Sequence, residues 1–143
     1  MRTAKRVMGM ILALILVFVL AGCSGKPLPE GMDEETLLDA GREIVALLNQ
    51  GEYQEVYDRM RADGQAESTV ENIQDAMEDL LDEVGAYKKE TDSLATGQTL
   101  DSGEEYGTAV LYCKHEKKNA VYRVAFSTQM ELMGLTVGEQ SLF

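Results

Sequence analysis

At Gly85 the hydrophobic repeat of this chain changes period, and no other feature restricts its possible folds as much. Ahead of Gly85, the apolar or small positions 37, 41, 44, 45 and 48 within Met32–Met60 recur at the helical spacing of about 3.6 residues. Asp33 is placed to cap the start of that helix and Gly51 its end. A second short helix is expected over Glu52–Arg61, presenting Tyr53, Val56, Tyr57 and Met60 on one face. Ser68 and Glu71 then form a capping-box pattern. It opens a third helix whose stripe is Val70, Ile73, Met77, Leu80, Leu81 and Val84. Past Gly85 the spacing drops to two. Ala120, Tyr122, Val124 and Phe126 alternate with Val121, Arg123, Ala125 and Ser127, which is the signature of a strand with one buried face. Further strands are expected around Tyr87–Leu94, over Tyr106–His115 and around Met133–Val137. Helices followed by strands imply an α+β fold, with three N-terminal helices packed on an antiparallel sheet of about four strands.

The first 32 residues read differently. Arg2, Lys5 and Arg6 precede an uncharged run of sixteen residues, Val7 to Gly22, which is the layout of a secretory signal. A spanning helix needs roughly 20 apolar residues. Leu20-Ala21-Gly22-Cys23 resembles the lipobox of bacterial lipoproteins, and the resemblance implies lipid attachment at Cys23 with the signal, residues 1–22, cut away. Basic residues before such a run stay inside. The expected location is therefore the outer face of the cytoplasmic membrane, with the membrane itself as a partner through Cys23. Residues 23–32 contain both prolines of the chain and suit a tether; residues 33–143 suffice for one domain with one core.

Charge excludes one class of function. The chain has 13 basic and 25 acidic residues; three basic ones precede Cys23, leaving ten against 25 and a formal charge of −15. Nucleic-acid binding needs a basic footprint to displace counterions from phosphates, so it is not expected. Acid–anion repulsion from lipid headgroups is screened beyond about 8 Å at physiological salt. Clustered acids at Glu71, Asp75, Glu78, Asp79 and Asp82 lack the loop spacing that gathers oxygens around calcium, so they read as a solvated helix face and no metal is expected. Cys113 is the one thiol after Cys23 and, within AVLYCKH, reads as a small buried hydrophobe. His115, beside the polar HEKKN, reads as a solvated turn residue.

The run LLNQGEYQEVYDRM, then DEVGAYKKE, then MELMGLTV resembles the domain of unknown function 3887 family. The resemblance rests on Leu48, Asn49, Gly51, Tyr53, Gly85, Gly134 and Leu135, marks of fold with no catalytic residue among them. That family is similar in fold to the nuclear transport factor 2-like superfamily, which implies a curved, cone-like sheet. The cone of that superfamily often holds a small molecule, and some of its members are isomerases or dehydratases using an aspartate or a His-Asp pair. Here no Asp or Glu falls on the apolar stripes, so no catalytic residue is nominated and no cofactor is expected. Tyr53, Tyr57, Tyr112, Tyr122 and Phe126 are the candidate pocket lining, an apolar wall with a few hydroxyls. The expected function is a surface-tethered, non-enzymatic module that binds a small apolar ligand or an envelope protein. The alternatives are a homodimeric interaction protein and an isomerase- or lyase-type enzyme.

Overall fold

Asp33 begins the first helix as its sequence neighbourhood requires. Its side chain accepts a hydrogen bond from the Thr36 backbone N–H at 3.0 Å, and these bonds hold its carboxyl below the usual carboxylate range. The structure, a computed structural model, describes residues 26–140. The elements run α1 (Glu34–Asn49), α2 (Tyr53–Arg59), α3 (Ala62–Glu67), α4 (Val70–Val84), β1 (Tyr87–Thr99), β2 (Glu105–His115), β3 (Asn119–Ser127) and β4 (Leu132–Glu139). The four strands form one antiparallel sheet in sequence order, open at β1 and β4. No helix among the described residues is long and apolar enough to cross a membrane.

The helices lie on one side of this sheet. From α1, Leu37, Leu38, Gly41, Ile44, Val45 and Leu48 are buried, and from α4, Ile73, Met77, Leu80 and Val84. They meet Ala109, Leu111 and Cys113 of β2 and Ala120, Tyr122, Val124 and Phe126 of β3 in one core. Each large aliphatic side chain buried this way contributes about 1.5–3 kcal/mol. Gly41 sets how closely α1 approaches the sheet: a Cβ there would stand 2.7 Å from the Ala109 Cβ.

Four expectations need correction. There are four helices where three are expected: the short α3, with no buried residue, carries no apolar stripe to reveal it. The cap of α4 is Thr69, whose side chain accepts from the Asn72 N–H at 3.1 Å, one residue later than the Ser68 capping box places it. β1 continues past Leu94 to Thr99, because its second half pairs with β2 through Gly97 and Gln98, residues of low strand propensity rescued by the ladder. Finally, most of the expected tether belongs to the domain. The Gly97 N–H donates to the Lys26 carbonyl at 3.0 Å, the Lys26 N–H donates to Thr96 Oγ1 at 3.2 Å, and the Met32 N–H donates to the Pro29 carbonyl at 3.1 Å. Pro29 is buried and Leu28 and Met32 pack on the core. The Pro27 carbonyl lies where a side chain at Gly97 would have to go. Residues 1–25, and with them the expected signal, lipobox and lipidated Cys23, lie outside the described residues.

The Gly41 contact yields a stability prediction. Gly41→Ala is expected to lower unfolding free energy by about 1–3 kcal/mol through overpacking against Ala109. Gly134→Ala, where nothing lies within 4 Å of the new Cβ, is expected to change it by about 0.5 kcal/mol or less. Urea denaturation of the two variants checks the contrast.

Candidate functional site

Gly85 ends α4 with φ of 82°, a left-handed conformation that glycine adopts without steric cost. The turn between β2 and β3 closes on this end: the Lys117 N–H donates to the Val84 carbonyl at 2.8 Å, and the Ala86 N–H to Glu116 Oε1 at 2.8 Å. The junction leaves the Gly85 carbonyl pointing at His115, whose Nδ1 lies 2.7 Å away. A carbonyl only accepts, so Nδ1 carries a proton. In the neutral ring Nε2 then accepts from the Tyr122 hydroxyl, 2.9 Å away. The Tyr122 oxygen in turn accepts from Asn49 Nδ2 at 3.1 Å, while the second amide proton of Asn49 goes to the Val45 carbonyl at 2.9 Å. One directed chain of hydrogen bonds thus links α1, β3, β2 and the end of α4 through the core. Tyr87 adds an edge-on ring contact to His115, with centroids 5.6 Å apart.

His115 is therefore a buried core residue, 1% exposed, and not the solvated turn residue expected. The signal was present in the alternation of β2. Positions 109, 111, 113 and 115 share one parity and all face the helices; only the polar neighbours of His115 obscured it.

Beside this chain lies a cleft of about 90 Å³ between α1 and the start of the sheet, lined by Arg42, Val45, Ala46, Asn49, Tyr87, Glu90, Leu111 and Cys113. Arg42 and Glu90 form a two-pronged ion pair at its side, with Nε–Oε1 2.9 Å and Nη2–Oε2 3.1 Å; Arg42 also holds Asp39 at 2.8 Å. These bonds to Glu90 and Asp39 raise the guanidinium pKa further above its ordinary value. Burial pushes the Cys113 thiol up to about 11 and the Tyr122 hydroxyl up to about 12, so both are protonated at neutral pH. Burial likewise raises Tyr87. Among the described residues no group of three or more His, Cys, Asp or Glu stands together as a metal site.

The five aromatic candidates are not brought together. Tyr122 and Phe126 lie in the core from β3, and Tyr53 and Tyr57 pack on that core from α2. Tyr112 stands on the other side of the sheet, because it pairs with Val121 while Leu111 pairs with Tyr122. Phe126 borders a wider, more open groove of about 550 Å³ with Ile44, Arg59 and Leu132. None of the five lines the cleft, whose aromatic is Tyr87. Tyr87 was hidden in the sequence because it opens a strand and lies on no apolar stripe.

The family described as a protein of unknown function, DUF3887, matches residues 41–135. The chain belongs to the DUF3887 family. The match spans α1 from Gly41 through the first half of β4, so the cleft, the hydrogen-bonded chain and the Gly85 junction all fall within the DUF3887 region. The chain is also similar to a protein from Ruminococcus gnavus ATCC 29149 solved by NMR. The two share 28% identity at a TM-score of 0.66, over 78% of this chain and 96% of that one. None of the curated proteins matches the chain.

Two measurements follow from the geometry. Tyr122→Phe removes the hydroxyl that joins Asn49 to His115 and is expected to cost about 1–3 kcal/mol, read by thermal or urea unfolding. Cys113 and Tyr122 both have folded-state pKa values above their ordinary ones, so their contribution to stability is whole below about pH 9 and is lost as pH rises through 11 to 12. Unfolding free energy is expected to fall across that alkaline window, and less steeply in Cys113→Ala.

Proposed function

We propose that this protein is a lipid-anchored, extracytoplasmic binding module, held at the membrane by Cys23, whose cleft receives one apolar side chain of a protein partner. The observation that carries the binding half is the commitment of Glu90, Asn49 and Cys113 at the cleft and of His115 beside it. Glu90 is bound by Arg42, Asn49 donates both amide protons within the chain, and His115 has a partner on each ring nitrogen. The thiol of Cys113 stays protonated. A general base or nucleophile needs a free, correctly ionised group within reach of a substrate, and these are all occupied.

At this cleft, size favours a side chain over a free small molecule. Pockets for drug-sized ligands run from about 300 to 1,000 Å³, several times the roughly 90 Å³ of the cleft, whereas the more open groove beside Phe126, about 550 Å³, falls within that range. A single aliphatic or aromatic anchor, flanked by a charged rim such as Arg42 and Glu90, is the arrangement of an interface hot spot. The anchor half rests on the lipobox Leu20-Ala21-Gly22 before Cys23. The helices-on-sheet arrangement fits the likeness to nuclear transport factor 2-like folds, with the interior filled by Tyr122 and its neighbours where such folds often keep a cavity.

Two experiments test the reading. Mass spectrometry of the mature chain is expected to find Cys23 as the first residue carrying a diacylglyceryl mass, and Cys23→Ser to abolish it. A photo-crosslinking residue at Ala46, exposed on the cleft wall, is expected to yield a discrete heavier protein adduct in intact cells, whereas one at Glu78 on the outer face of α4 is expected to yield none. Adducts of small mass, or equal yields at the two positions, would overturn the choice of partner.

A further inference from the structure

The side of the sheet turned away from the helices carries a charge opposite to that of the molecule. The register places Lys89, Lys114, Asp92, Tyr112, Leu94, Arg123 and Thr136 on that side, around Thr108, Val110 and Val121, which are buried. Among them stand three cations, Lys89, Lys114 and Arg123, against one carboxylate, Asp92. All three cations are exposed, and among the described residues none has an acidic partner within salt-bridge distance, whereas Arg42, Arg59, Arg61 and Lys118 are each paired. Lys89 and Lys114 are direct cross-strand partners, an arrangement of like charges that costs stability unless an anion lies near. The other side of the molecule carries the acids of α1 and α4, among them Glu34, Glu35, Asp39, Glu71, Asp75, Glu78 and Asp79.

The chain enters the fold on this same side. Lys26 is bound through its N–H to the hydroxyl of Thr96, which shares a face with Thr108. Three residue steps separate Cys23 from Lys26, a reach of about 11 Å at most. Resting on the proposed lipid anchor, we propose that the outer face of the sheet is a membrane-docking surface, with Lys89, Lys114 and Arg123 set against the phosphates of the lipid headgroups and Tyr112 at headgroup level. Two constraints converge on one occupant. The short link brings the bilayer to the β1 edge, and the charge pattern of this face sets cations toward anionic headgroups. A second copy docked on the same face would set the three cations against their own images. The docked orientation turns α1 and α4 outward.

The chain contains no tryptophan, so a single introduced one reports its own depth. The acylated mature chain, reconstituted into vesicles of mixed zwitterionic and anionic phospholipid with brominated acyl chains, is compared as Thr136→Trp on the sheet face and Glu78→Trp on α4. Quenching several-fold stronger at position 136 is expected, with the difference reduced in Lys89→Gln/Lys114→Gln/Arg123→Gln and in purely zwitterionic vesicles. Equal quenching in a chain that stays with the vesicles would overturn the docking face and leave the anchor standing. A chain without acyl mass that fails to sediment with vesicles would overturn both. A stable dimer in detergent whose formation protects position 136 would assign the face to a second copy instead.

Discussion

The Gly85 carbonyl holds the helices and the sheet in one arrangement. It stands at the only point where α4 stops, β1 starts and the β2–β3 turn arrives, and it does so because glycine tolerates φ of 82° there. Its bond to His115 fixes the imidazole proton on Nδ1, which makes Nε2 an acceptor, which orients the Tyr122 hydroxyl, which leaves the Tyr122 oxygen free for Asn49. Buried polar groups without partners cost stability, and a chain of this kind is stable only when each member is satisfied. Among the described residues no buried side-chain polar atom lacks a partner. A core that could have been wholly apolar is thereby given one register: β2 cannot slip by two residues without removing His115 from Gly85.

That constraint also explains why the cleft is small. α1 is drawn to the sheet at both levels, by Gly41 over Ala109 and by Asn49 reaching Tyr122, which leaves only a small gap beside Tyr87 on that side of the helix. Arg42 lies one residue beyond Gly41 and meets Glu90 across that remaining gap. A surface ion pair of this sort is worth about 0–1 kcal/mol, so its consequence lies in shape and charge at the rim rather than in stability.

Periodicity carried most of the fold because packing here obeys it. The five buried positions expected of α1 are buried, and Ile73, Met77, Leu80 and Val84 of α4 likewise, since both helices lie flat on one sheet and need one stripe each. Gly85 marked the change of structure because its function is conformational and local. What was illegible depended on partners far along the chain. The one-residue shift of the cap from Ser68 to Thr69 is decided by backbone geometry, and the extension of β1 through Gly97 by pairing with Gly107. The site was harder still. Residues 42, 49, 87, 90, 111 and 113 form no sequence motif, and tyrosines chosen for their chemistry fell on both faces of the sheet because strand parity, not residue type, decides where they point.

The same parity sorts charge. Along β2 and β3 the helix-facing positions hold no ionised side chain between Gly107 and Cys113 or between Ala120 and Phe126, whereas the opposite positions admit Lys114 and Arg123. An acidic domain of formal charge −15 beyond Cys23 would be held away from anionic lipid if its charge were evenly spread. On the proposed lipid anchor, concentrating carboxylates on α1 and α4 and cations on the sheet would convert that net repulsion into an orienting torque over the first Debye length, about 8 Å at physiological salt. A torque matters only where the body is held near the surface, and on the proposed lipid anchor the packing of Lys26 to Met32 onto the domain leaves a link of about 11 Å at most, comparable with that distance. On that proposal the short link and the polarity of the sheet are parts of one arrangement: a link that could swing would waste the charge pattern, and an unpatterned domain would gain nothing from the short link.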